Sequence, residues 1–336
     1  MALIATLHPV TGEVIETEAL RTEGLAQLRA AIAAAPFKLV RDDNQFLLPF
    51  LRARKYEIPR CLKVLKTFCA FWYSSPGVVE GLCGEKVRET YELGFLQMLW
   101  SPDNESERVV DDMGNSVTLF NVAAMDYTKV APDDQARLSL YLLLPLFEDE
   151  SMSRHGLTIC ETFEGFSMQK AAFMAKKQSS EEGKKMTAIG LDTFPMRIRR
   201  IFVIKQPSWF NWFWTLVKFF FRKKLRDRLV LLGDDVQKLH TIIPANKLPA
   251  AFGGTAVRSP SVLIDSLVKV EREKGQIGGF ALPLQMNDPT GSIRRAAAIA
   301  SGTTVVSLSS AAVEVPAVSP TVEESESPIV TSEATN

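Results

Sequence analysis

Three histidines, His8, His155 and His240, and four cysteines, Cys61, Cys69, Cys83 and Cys160, are the side chains best suited to proton transfer, nucleophilic attack or metal ligation. None stands at a triad or metal-ligand spacing: the chain has no CxxC pair, no HExxH helix and no GxSxG elbow. The Gly-Lys-Lys of EEGKKMTA lacks the upstream glycine and the following Ser or Thr of a phosphate loop, and no GxGxxG follows a strand. The histidines read as surface or packing residues, and the cysteines as reduced, mostly buried thiols of a cytosolic protein. No reaction is suggested, so no catalytic residue, metal or cofactor is expected.

What does concentrate is positive charge. The chain balances 39 Lys and Arg against 39 Asp and Glu, but between Arg197 and Arg228 ten basic residues face Asp227 alone. After Arg295 there are five glutamates and no basic residue. Lys224 and Arg228 lie four apart on one helical face, where two cations repel by a few tenths of a kcal/mol unless an anion sits between them. A phosphate offsets that repulsion, and the forked guanidinium suits its oxygens. The competing reading is a solvated basic face drawn loosely to anionic membranes, at roughly 1 kcal/mol per charge near the surface.

The same stretch contains WFNWFWTLVKFFFRKKLRDR, residues 209–228, with three tryptophans and five phenylalanines in its first thirteen positions. A bilayer core needs roughly 20 apolar residues, and Asn211, Thr215 and Lys218 interrupt this run first. On a helix, Asn211, Thr215, Lys218 and Arg222 form one narrow polar stripe, and every other face is apolar. Its partners are a protein core, the edge of a bilayer or a bound lipid. Nucleic acid is a poor partner, because these rings lie within one apolar helix and not as stacking platforms on an exposed sheet.

The elements that must carry these residues follow from periodicity. EALRTEGLAQLRAAIAAAP predicts an amphipathic helix with Leu20, Leu25, Leu28 and Ile32 on one side, stopped by Pro36. RDDNQFLLPFLRARKYEIPRCLKVLKTFCAFWYSSPG predicts two more, the first capped by Asp42 or Asp43 and the pair divided near Pro59. From about residue 85, strand patterns in SVTLFNVAAMD, LTICETFEG and RIFVIKQP alternate with helical patterns in DDQARLSLYLLLPLFEDESM and EEGKKMTAIGLDTFP. Such alternation predicts an α/β sandwich with a largely parallel sheet. Beyond about residue 288 the composition is Ala, Ser, Thr, Val, Pro and Glu, too poor in apolar area to offset ordering entropy. The expected domains are a helical unit at 18–80, an α/β domain at 85–256 and a largely disordered acidic tail at 257–336. The N-terminus lacks a basic region ahead of its short apolar stretch, so no secretory signal is expected.

The order of DDNQFLLPFLRARKYEI, ETFEGFS, KKMTAIGLDTFPMRIRRIFVIKQPSWFNWFWTLVKFFFRKKLRDRL and LLGDDVQKLHTIIPANKLPAAFGGT resembles that of CRAL-TRIO lipid-binding proteins. The likeness is to the tocopherol-transfer and retinaldehyde-binding branch and spans about residues 20 to 255. It implies a CRAL-TRIO fold: a three-helix unit packed on an α/β domain whose mostly parallel sheet floors an apolar cavity, with the aromatic helix as lid. It implies a cytoplasmic, peripherally membrane-associated protein that binds a hydrophobic lipid-like ligand and transfers it between membranes without catalysis. By resemblance, Arg52, Arg197, Lys224 and Arg228 bind a phosphoinositide headgroup. Leu140, Leu157, Ile189, Phe194, Met196, Ile201, Phe210 and Phe213 line the cavity. The alternative is a membrane-recruited phosphoinositide-sensing module without cargo transfer.

Three residues depart from the branch. Pro49 stands in FLLPFLRAR where a basic or polar residue is usual; a mid-helix proline costs about 3 kcal/mol unless the helix kinks or begins there, which would displace Arg52. Leu232 stands where the branch often has histidine. Glu161 occupies a strand position that is commonly apolar, on one face with Leu157, Ile159 and Phe163. If that face lines the cavity, its carboxylate needs a partner, either a hydroxyl or amine of the ligand or a neighbouring Lys or Arg.

Overall fold

Caps and periodicity account for the first elements of the computed structural model, which describes residues 14–99, 108–126, 128–180, 193–220, 223–257 and 261–274. Helix α1 (Glu18–Ala34) opens at Thr17, whose Oγ1 accepts from the Leu20 N–H at 3.1 Å, and buries Leu20, Leu25 and Leu28. Helix α2 (Asn44–Ala53) opens at Asp43, whose carboxylate accepts from the Phe46 N–H at 3.0 Å. Pro49 lies inside α2, and the helix continues past it through Arg52 to Ala53. Helix α3 (Ile58–Ser74) carries Pro59 in its first turn, where the missing N–H leaves no bond unmade. Short helices α4 (Pro76–Val79) and α5 (Gly84–Glu92) follow.

Five strands form one sheet: β1 (Leu96–Met98), β2 (Ser116–Asn121), β3 (Leu157–Thr162), β4 (Ile198–Ile204) and β5 (Leu229–Gly233), in that spatial order. β1 is antiparallel to β2, and the other three pairings are parallel. Parallel neighbours require crossovers. They are supplied by α6 (Pro132–Leu143) and α7 (Glu150–His155), by α8 (Met168–Ser179), and by α9 (Phe210–Val217) with α10 (Lys223–Arg226). After β5, α11 (Val236–His240) packs on one sheet face, where Leu239 joins Val117, Leu119, Cys160, Phe202 and Ile204 in a continuous core.

The helical N-terminus and the other face of the sheet share a second core. Phe46, Phe50, Phe68 and Phe147 stack within it, and Phe194, just ahead of β4, sets its ring edge-on to Phe68 at 5.7 Å. The shared core couples the placement of Arg52 to that of β4.

Several elements differ from expectation. The stretch DDQARLSLYLLLPLFEDESM is not one helix: α6 ends at Leu143, a 3₁₀ turn spans Leu144–Phe147, and α7 restarts at Asp149, whose side chain caps Met152. Pro145 has no N–H to continue the ladder and its ring clashes with the preceding turn. The segment 257–336 begins with a helix, α12 (Ser261–Lys274), in which Leu263, Ile264, Leu267 and Val268 are buried. Glu271 of α12 accepts from Tyr141 Oη at 2.8 Å and from the Gly84 N–H at 3.0 Å, tying α12 to α6 and α5. The rest of that tail, and residues 181–192 of the helix expected in EEGKKMTAIGLDTFP, lie outside the described residues.

Gly156 joins α7 to β3 at φ 103°, and a Cβ there would stand 2.3 Å from the Arg197 carbonyl oxygen. That oxygen also accepts from the Leu157 N–H at 2.8 Å, so neither strand can retreat freely. Gly156→Ala is expected to cost about 2–4 kcal/mol, measured by urea unfolding; an unchanged midpoint would show that the β3–β4 start is not tightly held.

Candidate functional site

Parallel pairing aligns the N-terminal ends of β3, β4 and β5, so the residues just ahead of them meet at one edge of the sheet: Arg154 and His155, then Arg197, then Arg228. A pocket of about 280 Å³ opens there, lined by Val14, Glu16, Arg52, Tyr56, Arg154, His155, Arg197 and Arg199. Four arginines thus face one carboxylate. Lys55 and Tyr56 take left-handed φ values of 54° and 62° at the end of α2, which turns the Tyr56 ring beneath α1. Gly24 makes room for it, since a Cβ there would lie 2.6 Å from the ring.

Arg52 is 4% exposed. Its Nε and Nη2 donate to the two Glu16 oxygens at 2.8 Å each, Nη2 also to Glu150 Oε1 at 2.7 Å, and Nη1 to Ser153 Oγ at 2.6 Å. Burial opposes the charge on Glu16, but hydrogen bonds and the positive charge of Arg52, with help from Tyr56 and Arg154, win and hold its carboxyl down to about 2. Arg154 donates to Glu150 at 2.7 Å, Arg197 to the Arg154 carbonyl at 2.8 Å and Arg199 to the His155 carbonyl at 2.6 Å. Arg228 donates to the Ile198 carbonyl, within the same strand start.

Of the four cations singled out from the sequence, Arg52 and Arg197 share this pocket, Arg228 sits at the adjacent strand start, and Lys224 is exposed on α10. Arg52 is bound to Glu16, Glu150 and Ser153 rather than presented to solvent, because α2 and α7 pack against each other at this point. Arg154, His155 and Arg199 were not anticipated. Arg199 belongs to the RIRR run and was visible as charge, but the other two become its neighbours only through strand register.

The residues expected to line a cavity distribute over one sheet face. Leu140 and Phe194 belong to the core shared with the N-terminal helices, and Leu157 packs with Met98, Leu146 and Met152. Met196 touches both groups. Ile201 and Phe210 lie in a separate cluster with Phe163, Phe166 and Val203, against which Trp209 and Trp214 pack. Ile189 and the side chain of Phe213 lie outside the described residues.

Between these clusters runs the register row Phe120, Glu161 and Val203. Phe120 packs toward the first core and Val203 belongs to the aromatic cluster, so Glu161 marks the seam. Among the described residues it makes no hydrogen bond or ion pair, and burial pushes its carboxyl up to about 7. The residue as a whole is partly buried.

Over the far side of this face lies α9. Phe210 meets Phe163 edge-on at 4.7 Å and stacks with Trp214 at 6.4 Å. Asn211 and Thr215 are exposed as the polar stripe requires, but Trp212 at 60% and Phe219 at 75% exposure stand in water with them. The Lys218 ammonium lies 5.4 Å from the Phe219 ring centre. No helix among the described residues is long and apolar enough to cross a membrane, and none of their His, Cys, Asp and Glu groups could hold a metal ion.

Residues 107–254 match the model of the CRAL/TRIO domain. The chain is similar to alpha-tocopherol transfer protein-like of Mus musculus, 29% identical over 226 residues, covering 66% of this chain and 61% of the relative. It is also similar to clavesin-1 of Mus musculus, 25% identical over 254 residues, covering 74% of this chain and 68% of the relative. The chain thus spans about three-fifths of the length of the transfer protein-like relative. Among solved structures it matches the crystal structure of Sfh5 with TM-score 0.46 and 13% identity, over 77% of this chain and 100% of that one.

Proposed function

We propose that this protein binds a hydrophobic, lipid-like molecule against the divided face of its sheet and carries it between membranes, docking through its arginine pocket on a phosphoinositide headgroup. The observation that carries the reading is the contrast between the two sheet faces. Among the described residues, one is packed without interruption from Val117 to Phe252, whereas the other divides into separate apolar clusters with the partly buried Glu161 between them. The match of residues 107–254 to the CRAL/TRIO domain supports the same class of ligand, and the mouse relative is named alpha-tocopherol transfer protein-like. Burying such a ligand at about 25 cal/mol per Å² gives ample drive, so release needs assistance at the membrane.

The pocket suits a polyphosphorylated headgroup because Arg154, Arg197 and Arg199 converge on it, with Lys224 and Arg228 beside the neighbouring strand. Exposed Trp212 and Phe219 next to Lys218 suit the interfacial zone of a bilayer. In this reading the protein is cytoplasmic, peripheral and non-enzymatic.

The first test is solvent extraction and mass spectrometry of purified protein, before and after incubation with lipid vesicles; protein that neither carries nor accepts a lipid would refute the carrier. The second is cosedimentation with phosphatidylcholine vesicles containing or lacking phosphatidylinositol bisphosphate. The double variant Arg197→Ala, Lys224→Ala should lose about tenfold or more of the phosphoinositide-dependent binding while its lipid content is unchanged. Equal loss on both vesicle types would mean a diffuse basic face instead of a headgroup site.

A further inference from the structure

Strand order leaves β1 and β5 at the two edges of the sheet, and the edges differ. Leu96 and Met98 of β1 are 5% and 4% exposed, whereas Val230 and Leu231 of β5 are 43% and 37% exposed. An edge strand presents a row of unpaired N–H and C=O groups, and folds commonly blunt it with a charged side chain or a proline on the strand. The five residues of β5, Leu229–Gly233, contain neither. Among the described residues β5 pairs with β4 alone.

The ladder to β4 fixes which backbone groups point outward. Leu229 is the register partner of Ile201, and Leu231 that of Val203. The Ile201 N–H donates to the Arg228 carbonyl at 2.9 Å, the slanted bond that a parallel pair makes to the residue beside the register partner. By the two-residue alternation of a strand, Arg228 and Val230 turn backbone groups to β4, and Leu229 and Leu231 turn theirs away. The two ends of the strand are opposite in charge. Lys223, Lys224, Arg226 and Arg228, with Asp227 among them, precede it, and Asp234 and Asp235 follow it. Asp235 pairs with Lys238 at 3.1 Å, while Asp234 is exposed and makes no ion pair among the described residues.

We propose that β5 binds a second copy of this chain, two β5 strands pairing antiparallel about a two-fold axis at Val230 so that the two sheets join into one. The outward groups set this register: Leu229 of each copy stands opposite Leu231 of the other and exchanges both backbone hydrogen bonds with it, so every outward group is used. Val230 meets its own counterpart, and the two exposed side chains cover each other. The same axis brings Arg226 and Arg228 of each copy to the Asp234 end of the other. A parallel pairing would set cation against cation, so charge selects the antiparallel one. The edge is therefore self-complementary in both hydrogen bonding and charge, which fits a second copy of itself, and an isologous pair of this kind closes without recruiting further chains. The pairing does not depend on the carrier reading.

Sedimentation velocity on the full chain over a range of concentrations reads the association directly. Wild-type protein should pass from monomer to dimer as concentration rises. Val230→Lys, which sets two ammonium groups face to face on the axis, should stay monomeric with an unchanged circular dichroism spectrum. Oxidation reads the register. Val230→Cys should form a disulfide between copies, because residues facing each other in a non-hydrogen-bonded antiparallel pair lie about 4.5 Å apart at Cα, inside the disulfide range. Leu231→Cys should not, since it stands opposite Leu229 and lies roughly 8 Å from its own counterpart. Mass spectrometry of the linked peptides separates the new bond from any made by the native Cys83, which is only partly buried. Should Val230→Lys misfold, the two cysteine variants carry the test. Wild-type protein that is monomeric at every concentration overturns the proposal, and so does a dimer that folded Val230→Lys leaves intact, which would place association elsewhere. Equal crosslinking at both positions overturns the axis at Val230.

Discussion

Arg52→Ala should lower the stability of this protein by about 3–5 kcal/mol, the cost of breaking a buried ion pair by removing one partner. The guanidinium is 4% exposed and makes four short hydrogen bonds to Glu16, Glu150 and Ser153, joining α2 to α7 and to the residues ahead of α1. Without it, Glu16 keeps its charge in a site where its side chain is 9% exposed. For a fold of this size each kcal/mol moves the melting temperature by roughly 2–4 °C, so a fall on the order of 10 °C is expected in thermal unfolding followed by circular dichroism. Arg52→Lys should rescue poorly, since one ammonium cannot reproduce the fork. Adding Glu16→Gln to Arg52→Ala should recover part of the loss; a melting curve unmoved by Arg52→Ala would mean that the pocket wall is solvated.

The same pair sets an acid limb. The Glu16 carboxyl is held near 2 when folded, below its ordinary value of 4.5, so the unfolded chain takes up the proton first as pH falls. The stabilisation is complete above about pH 4.5 and disappears toward pH 2, and Glu16→Gln should flatten that limb. Arg52 is also the reason to test headgroup binding at Arg197 and Lys224, because loss of binding in an Arg52 variant would not separate the pocket from the fold.

Glu161→Gln should have the opposite sign. The folded state raises this carboxyl from 4.5 to about 7, so the favourable contribution is fully present below about pH 4.5, where the group is neutral in both states, and is lost as pH rises through 7. At pH 8.5 the wild-type, lipid-free protein should be less stable than Glu161→Gln by about 3 kcal/mol more than at pH 4, read from urea unfolding at the two pH values. A pH-independent difference between the two proteins would show that Glu161 is solvated or paired when folded.

Much of this was legible along the chain. Thr17 and Asp43 mark helix starts because an oxygen side chain satisfies amides within a few residues of itself. Alternation in SVTLFN, LTICET and IRRIFVI marks strands because side chains project to opposite faces with period two. The aromatic and basic character of residues 209–228 is composition, available to inspection. Other features were not legible. β1 and β5, of three and five residues, are too short to show a period, and α12 declares itself only once α5 offers a surface for Leu263, Ile264, Leu267 and Val268. Arg154 and His155 join Arg197 and Arg199 because β3 and β4 run in parallel from a common edge, although some forty residues separate them in sequence. Glu161 could be read as facing inward, but its solitude depended on Arg200 engaging Asp111 and Lys205 engaging Glu164. Local hydrogen bonding and side-chain periodicity are properties of a few adjacent residues and can be read in order; which charges meet, and which are left alone, is set by register and packing between distant segments, and only the folded chain decides it.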